Sequence, residues 1–156
     1  MKVSIIIAVF NGETFLKGTI KSILNQNDEN LELIVIDGGS SDNTIEIIKS
    51  FYSSKIKWIS EPDKGISDAF NKGIKLATGD YINFQGDGDG FINSSSISDL
   101  FSSLDLKEKP IVCGNIQRID INGNLIYKTK IKKRFDKKSL LFKMSLPHQG
   151  LFIPKE

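Results

Sequence analysis

Val3-Ser-Ile-Ile-Ile-Ala-Val-Phe10 is a β-branched run broken by one small polar residue, and it ends in Asn11-Gly12. A strand with one wet face alternates apolar and polar residues, whereas a strand buried on both faces reads as nearly continuous apolar sequence. This run is continuous, so a parallel sheet covered on both sides is expected. Phe15, Leu16, Ile20, Ile23 and Leu24 then recur at helical spacing. Leu31-Glu-Leu-Ile-Val-Ile36 reads as a second strand, closed by Asp37-Gly38-Gly39. Ser41 or Asp42 can cap the next helix, whose apolar stripe is Ile45, Ile48 and Phe51. Ile56-Lys-Trp-Ile59 is a short third strand. Ile66, Ala69, Phe70, Ile74 and Ala77 mark a helix that Thr78-Gly79-Asp80 ends, and Tyr81 to Gln85 is the fourth strand. This order implies right-handed crossovers and an open sheet with helices on both faces.

Ligands of such sheets bind beyond the carboxyl ends of the strands. Phe10-Asn11, Asp37-Gly38-Gly39 and Gly86-Asp-Gly-Asp-Gly90 all fall on that edge. Asp87 and Asp89 repel each other unless a cation or water lies between them. Paired carboxylates suit Mg²⁺ or Mn²⁺, with substrate phosphates completing the shell. Glycine and aspartate also dominate ordinary turns. By itself the loop is therefore either a surface turn or a metal–phosphate site; three polar strand ends on one edge favour the site.

Past residue 92 the pattern changes. Ile97, Leu100, Phe101 and Leu104 indicate a short helix, Ile111 to Ile116 a strand, and Ile119 to Tyr127 a hairpin about the two-residue turn Asn122-Gly123. Lys128 to Lys138 carries seven Lys or Arg against one acid. It is either a solvated face or a contact with an anionic acceptor or membrane surface. The 156 residues amount to one domain, and the net charge of +2 gives no general case for nucleic acid. Cys113 is the single cysteine, which excludes an internal disulfide and reads as a buried thiol. Neither a signal peptide nor the roughly 18-residue apolar run of a membrane span is evident. A cytoplasmic location is expected, with peripheral contact at the inner membrane face through residues 128–138.

Several chemistries fit poorly. No Gly-x-Gly-x-x-Gly or Walker sequence follows the first strand, and Phe91 stands where a calcium loop needs an oxygen ligand. His148 is alone, so neither a histidine metal cluster nor a hydrolase triad is readable. Asn11-Gly-Glu is not the glycine-rich phosphate loop of a nucleotidyltransferase.

Four segments carry a family resemblance. They are Val3 to Gly12, Glu32-Leu-Ile-Val-Ile-Asp-Gly-Gly-Ser-Ser-Asp-Asn-Thr44, Ser60-Glu-Pro-Asp-Lys-Gly-Ile-Ser-Asp-Ala-Phe-Asn-Lys-Gly-Ile74 and Ala77-Thr-Gly-Asp-Tyr-Ile-Asn-Phe84. In this order they resemble the nucleotide-binding half of family 2 glycosyltransferases, the inverting, metal-dependent enzymes of the GT-A fold. The resemblance is dense over residues 3–92 and returns at Pro147-His-Gln-Gly-Leu-Phe152, similar to the His-Gln segment of the polysaccharide-assembling bacterial branch. It implies a Rossmann-like three-layer α/β/α domain over 1–156, with the nucleotide-sugar part at 1–92 and the start of the acceptor part at 93–156. The implied activity is transfer from a nucleotide-diphospho-sugar, a UDP-sugar ahead of a GDP- or dTDP-sugar, to a saccharide or lipid-linked saccharide acceptor with inversion, in cell-surface polysaccharide synthesis. The other class of reading is a non-catalytic nucleotide-binding module of the same fold.

Carried over by position, Ala8, Val9, Phe10, Asn11 and Glu13 line the donor nucleotide. Asp37 contacts the base, and Lys64, Asp68 and Asn71 close over base and ribose. Asp89 aligns with a metal ligand, but the acid that precedes it in relatives falls on Gly88, so Asp87, one place early, is the second ligand for Mg²⁺ or Mn²⁺. Asp87 also belongs to the diphosphate-binding set. Relatives continue past the His-Gln segment, and their general base is expected beyond Glu156. His148 either faces sugar or acceptor or is a structural histidine.

Overall fold

The computed structural model describes residues 1–102, 104, 111–129 and 147–155. In chain order the elements are β1 (Val3–Val9), α1 (Leu16–Leu24), β2 (Leu31–Asp37), α2 (Thr44–Lys49), β3 (Ile56–Ser60), α3 (Ile66–Leu76) and β4 (Tyr81–Gly86). There follow α4 (Ser96–Ser102), β5 (Val112–Cys113), β6 (Gln117–Ile119), β7 (Leu125–Lys128), a 3-10 turn at His148–Gly150 and β8 (Leu151–Pro154). The main sheet runs β3-β2-β1-β4-β8-β5. Its first four strands are mutually parallel; β8 lies antiparallel to both β4 and β5.

The two helical layers divide the side chains of the central strands by alternation. Val3, Ile5, Ile7 and Val9 of β1, with Leu33 and Val35 of β2, pack against Leu16, Ile20 and Ile23 of α1, Ile48 of α2, and Ile97 and Phe101 of α4. Ile6, Ile34, Ile36 and Ile82 form the opposite core with Ala69, Phe70 and Ile74 of α3. All of β2 is buried and β1 nearly so, which is why both read as continuous apolar runs.

Three local expectations are corrected. The 111–116 strand shrinks to Val112–Cys113, because Gly114 N–H turns to Gly150 O and Ile116 N–H to Thr129 Oγ1. The hairpin turn holds three residues, Ile121 to Gly123, closed by Asp120 N–H to Asn124 O with Gly123 at φ 83°. Asp120 accepts the N–H groups of Asn122 and Asn124, a side-chain turn that outcompetes the tighter two-residue form. Cys113 is half-buried rather than enclosed, and burial pushes its thiol up, away from reactivity. Of the basic stretch, residues 130–138 lie outside the described residues.

The amino-terminal edge of the sheet is locked by one buried acid. Glu32 is 4% exposed. Ser4 Oγ and Thr78 N–H each donate to its Oε1 at 2.6 Å, and Lys2 Nζ and Lys57 Nζ lie 3.0 Å from Oε2. Gly79 N–H in turn donates to Ser4 Oγ. A Cβ on Gly79 would stand 2.7 Å from Ser4 N and 2.9 Å from Lys2 O, both backbone atoms that cannot swing aside. Gly79→Ala is accordingly expected to cost about 1–3 kcal/mol in urea unfolding; an unchanged midpoint would contradict this packing.

Candidate functional site at the carboxyl edge

Strand register brings the candidate residues level. Ala8 pairs with Gly86, Val9 with Asp37, and Asp37 with Ser60, so β1 to β4 end along one line. The loops leaving those ends are tied together. Asn11 N–H donates to Ser40 Oγ at 2.7 Å, and Asn11 Oδ1 accepts Ser41 N–H at 2.9 Å. These bonds hold Asn11 at φ 53°, in the left-handed region that asparagine tolerates better than most residues. Glu13 Oε2 accepts from the backbone and side chain of Asn43, while Asp42 accepts Glu13 N–H. Asp42 also accepts Thr44 N–H, so the residue expected as a cap serves both loops, one place before Asn43, where the chain enters α2.

Asp37 is fully buried, and its carboxylate is already occupied. Oδ2 accepts Gly39 N–H and Ser40 N–H at 3.1 Å and Ser60 Oγ at 2.6 Å; Oδ1 accepts the Ser40 hydroxyl. The acid therefore fixes the turn after β2.

Phe10, 63% exposed, projects from this floor. Asp63, inside a motif segment but absent from the residues carried over from the family, joins it. A Cβ on Gly38 would stand 2.7 Å from Asp63 Oδ2 and 3.5 Å from the Phe10 ring, so glycine keeps a narrow crevice between them. Lys64 is exposed, and its N–H donates to Asp68 Oδ2 at 3.1 Å. That bond, with the nearby Lys72 ammonium at 3.6 Å, holds the Asp68 carboxyl below the usual carboxylate range. Asn71 is exposed on α3. His148 is exposed in the 3-10 turn, its ring centroid 6.4 Å from that of Phe70, on the side of α3.

The Gly86–Gly90 loop closes the row. Asp89 Oδ2 accepts Gly86 N–H at 2.8 Å, and Gly88, at φ 90°, donates its N–H to Thr19 Oγ1. Asp87 Oδ2 lies 3.1 Å from where a Cβ on Gly12 would be, which places it against the β1–α1 loop. Partial burial, and then the Asp89 and Asp42 charges, push the Asp87 carboxyl up. Among the described residues no Lys or Arg forms an ion pair with Asp42, Asp87 or Asp89, and no cluster of three or more metal-ligating side chains occurs. An all-oxygen set with uncompensated charge and too few protein ligands fits Mg²⁺ or Mn²⁺ completed by phosphate oxygens.

Comparison with known proteins gives one answer. The description "Glycosyl transferase family 2" matches residues 4–153. An uncharacterized glycosyltransferase of Haemophilus influenzae is 36% identical over 142 residues, covering 89% of this chain and 56% of that one. The chondroitin synthase of Pasteurella multocida is 30% identical, covering 96% of this chain and 16% of the synthase. The chain thus spans little more than half the length of such relatives, or less. Among solved structures, Staphylococcus aureus TarS 1–349 in complex with UDP-GlcNAc superposes with a TM-score of 0.68 at 18% identity, covering 99% of this chain and 46% of that one. A Pyrobaculum calidifontis mannosyltransferase in complex with GDP-Man and Mn²⁺ gives 0.63 at 17% identity, covering 75% of this chain and 36% of that one. Fold, order of motifs and family match agree: with a mainly parallel GT-A sheet, the chain belongs to glycosyl transferase family 2.

Proposed function

We propose that the chain is the nucleotide-sugar-binding part of an inverting glycosyltransferase that moves a sugar from a UDP-sugar to a hydroxyl of a saccharide or lipid-linked saccharide, in cell-surface polysaccharide assembly. The carrying observation is the alignment, on one sheet edge, of the Phe10–Glu13, Asp37–Ser41 and Asp63–Asp68 loops with the Asp87/Asp89 loop. The UDP-GlcNAc complex of a structural neighbour supports the donor class.

The exposed Phe10 ring offers a stacking surface for the base beside the Gly38 crevice. Asp37, fully buried and accepting four hydrogen bonds, would bear on the base through the turn that it fixes. Lys64 and Asn71, exposed at the start and on the flank of α3, close over the ribose together with Asp68. Asp89 and Asp87 would hold Mg²⁺ or Mn²⁺, which when bound neutralises charge on the departing nucleoside diphosphate. The basic stretch 128–138 would rest on an anionic membrane surface on the cytoplasmic side; no helix among the described residues is long and apolar enough to cross one.

Titration of the chain with UDP, GDP and dTDP in Mn²⁺ is expected to give one-site binding strongest for UDP, with Kd on the order of 1 µM to 1 mM. Failure of all three to bind would sink the reading. Glycine at position 88, where the family resemblance implies an acid, favours a second reading, a nucleotide-holding module without turnover. Release of UDP from UDP-GlcNAc by the full natural chain separates the two: turnover excludes the module, and binding without turnover across donors supports it.

A further inference from the structure

Helix α1 packs on the sheet through Leu16, Ile20 and Ile23, yet polar side chains are buried along it as well. Thr19, 2% exposed, and the half-buried Ser22 are three apart and share a face of the helix. Gln26, 6% exposed, follows just past the end of the helix. All three bind one stretch of chain, the segment that leaves β4. Gln26 Nε2 donates to Asn93 O at 2.7 Å, and its Oε1 accepts Ile97 N–H at 3.2 Å. Ser22 Oγ accepts Phe91 N–H at 3.3 Å, and a Cβ on Gly90 would stand 2.7 Å from the same oxygen. Thr19 Oγ1 accepts Gly88 N–H at 2.9 Å. Of these partners only Gly88 lies between Asp87 and Asp89.

The Thr19 bond acts on a tight turn. Asp89 N–H donates to Gly86 O at 3.2 Å, which makes Gly86 to Asp89 a β-turn. Asp89 Oδ2 closes the same turn from the side chain, accepting Gly86 N–H at 2.8 Å. Gly88 stands third at φ 90°, and Asp87, standing second, is not among the residues of positive φ. That combination is a type II turn, whose third position calls for glycine. A Cβ on Gly88 would meet nothing closer than Phe15 at 3.7 Å, so backbone conformation, not crowding, keeps a side chain out. Type I and type II turns differ by a flip of the peptide between the second and third residues. The N–H of that peptide is the one Thr19 holds. A flip would turn it away from the buried hydroxyl and leave both groups without this bond, so Thr19 selects the type II form.

We propose that Thr19 is a positioning residue for the metal–diphosphate site. Its hydroxyl holds the Asp87–Gly88 peptide in one orientation and so sets how Asp87 and Asp89 face a shared cation. This role deepens the proposed function and rests on it for the cation and the diphosphate. It also gives glycine at 88 a reason: the turn that Thr19 selects excludes an ordinary side chain there, and the second acid stands one place earlier.

The test is calorimetry of UDP in Mn²⁺ and in EDTA for wild type, Thr19→Val, Thr19→Ser and Gly88→Ala. Valine keeps the branched shape without the hydroxyl, serine keeps the hydroxyl, and alanine at 88 strains the turn from its other side. Thr19→Val and Gly88→Ala are expected to bind UDP about 3- to 10-fold more weakly in Mn²⁺ and with unchanged affinity in EDTA. Thr19→Ser should stay within about 2-fold of wild type in both. General damage to the fold would instead weaken binding with and without metal alike. A second reading needs no variant to fold: in the wild-type chain the Gly88 amide proton should resist exchange and shift when Mg²⁺ and UDP are added together. A full Mn²⁺ gain in Thr19→Val, an equal loss with and without metal, or a Gly88 amide that exchanges freely overturns the inference alone. Wild-type UDP binding that gains nothing from Mn²⁺ removes the proposed metal chemistry, and the positioning role with it, whatever the variants do.

Discussion

Alanine at position 32 is expected to lower the stability of the fold by about 2–4 kcal/mol in urea unfolding at neutral pH, a large share of the roughly 5–15 kcal/mol typical of a domain. Glu32 stands on β2 at the end of the sheet opposite the candidate site, and four groups from three other segments converge on it. Lys2 and Lys57 keep 41% and 46% of their side-chain surface, so both ammonium groups rehydrate when the acid is removed. Ser4 Oγ is buried and Thr78 N–H partly so, and the loss of their acceptor dominates the cost. The pH dependence has a defined sign. Burial opposes the charge of Glu32, but the bonds from Ser4, Thr78, Lys2 and Lys57 outweigh it and hold the carboxyl far below the usual glutamate range. A carboxyl depressed by folding stabilises fully above the unfolded value of about 4.3, and this contribution fades as pH falls below it. The difference between wild type and Glu32→Gln should therefore be widest at pH 7 and narrow by pH 3. A difference independent of pH would mean that the network holds the sheet by packing, not by charge.

This network marks the limit of what the sequence made legible. The continuous runs at Val3 and Leu31 announced strands buried on both faces, and burial on both sides of β1 and β2 follows from helices on each face. Glu32 was invisible in that reading, because its partners come from positions 2, 4, 57 and 78 and only parallel pairing brings them together. The same limit holds at the other edge. Motif order placed Phe10, Asn11, Asp37 and the Asp87/Asp89 loop on one line, and strand register agrees. Asp42 contacting the Glu13 backbone and Asp63 facing Gly38 depend on loop conformations that no periodicity encodes, although both lie inside quoted motif segments. β8 is four residues long and ends in proline, too little pattern to signal a strand, yet its Leu151 carbonyl and that of Gln149 in the preceding turn orient the side-chain amide of Asn83 on β4.

Asparagine at position 89 is expected to remove most of the Mn²⁺-dependent gain in UDP affinity. Loss of a mere outer-sphere partner costs a metal site about 10- to 100-fold, so a direct ligand should cost at least that much. Asparagine is the informative substitution: its carbonyl can still accept Gly86 N–H, the bond that shapes the loop, while the negative charge is gone. Asp87 answers a different question. Its carboxyl is pushed up by burial and by the Asp89 and Asp42 charges, so ionising it opposes folding of the metal-free chain. An acid raised by folding lends its support below its unfolded pKa and loses it as pH rises through the folded value. Asp87→Asn should therefore stabilise the metal-free chain at neutral pH and leave stability unchanged at low pH, where the wild-type acid is protonated. The same substitution should weaken UDP binding in Mn²⁺ and lessen the thermal stabilisation that Mn²⁺ with UDP confers on the wild type. Gain of stability with loss of metal response is the behaviour of charge concentrated for a ligand. If Asp87→Asn leaves both the neutral-pH melting temperature and the Mn²⁺ response unchanged, Asp87 is a turn residue, and the shifted pair Asp87/Asp89 is not the metal site.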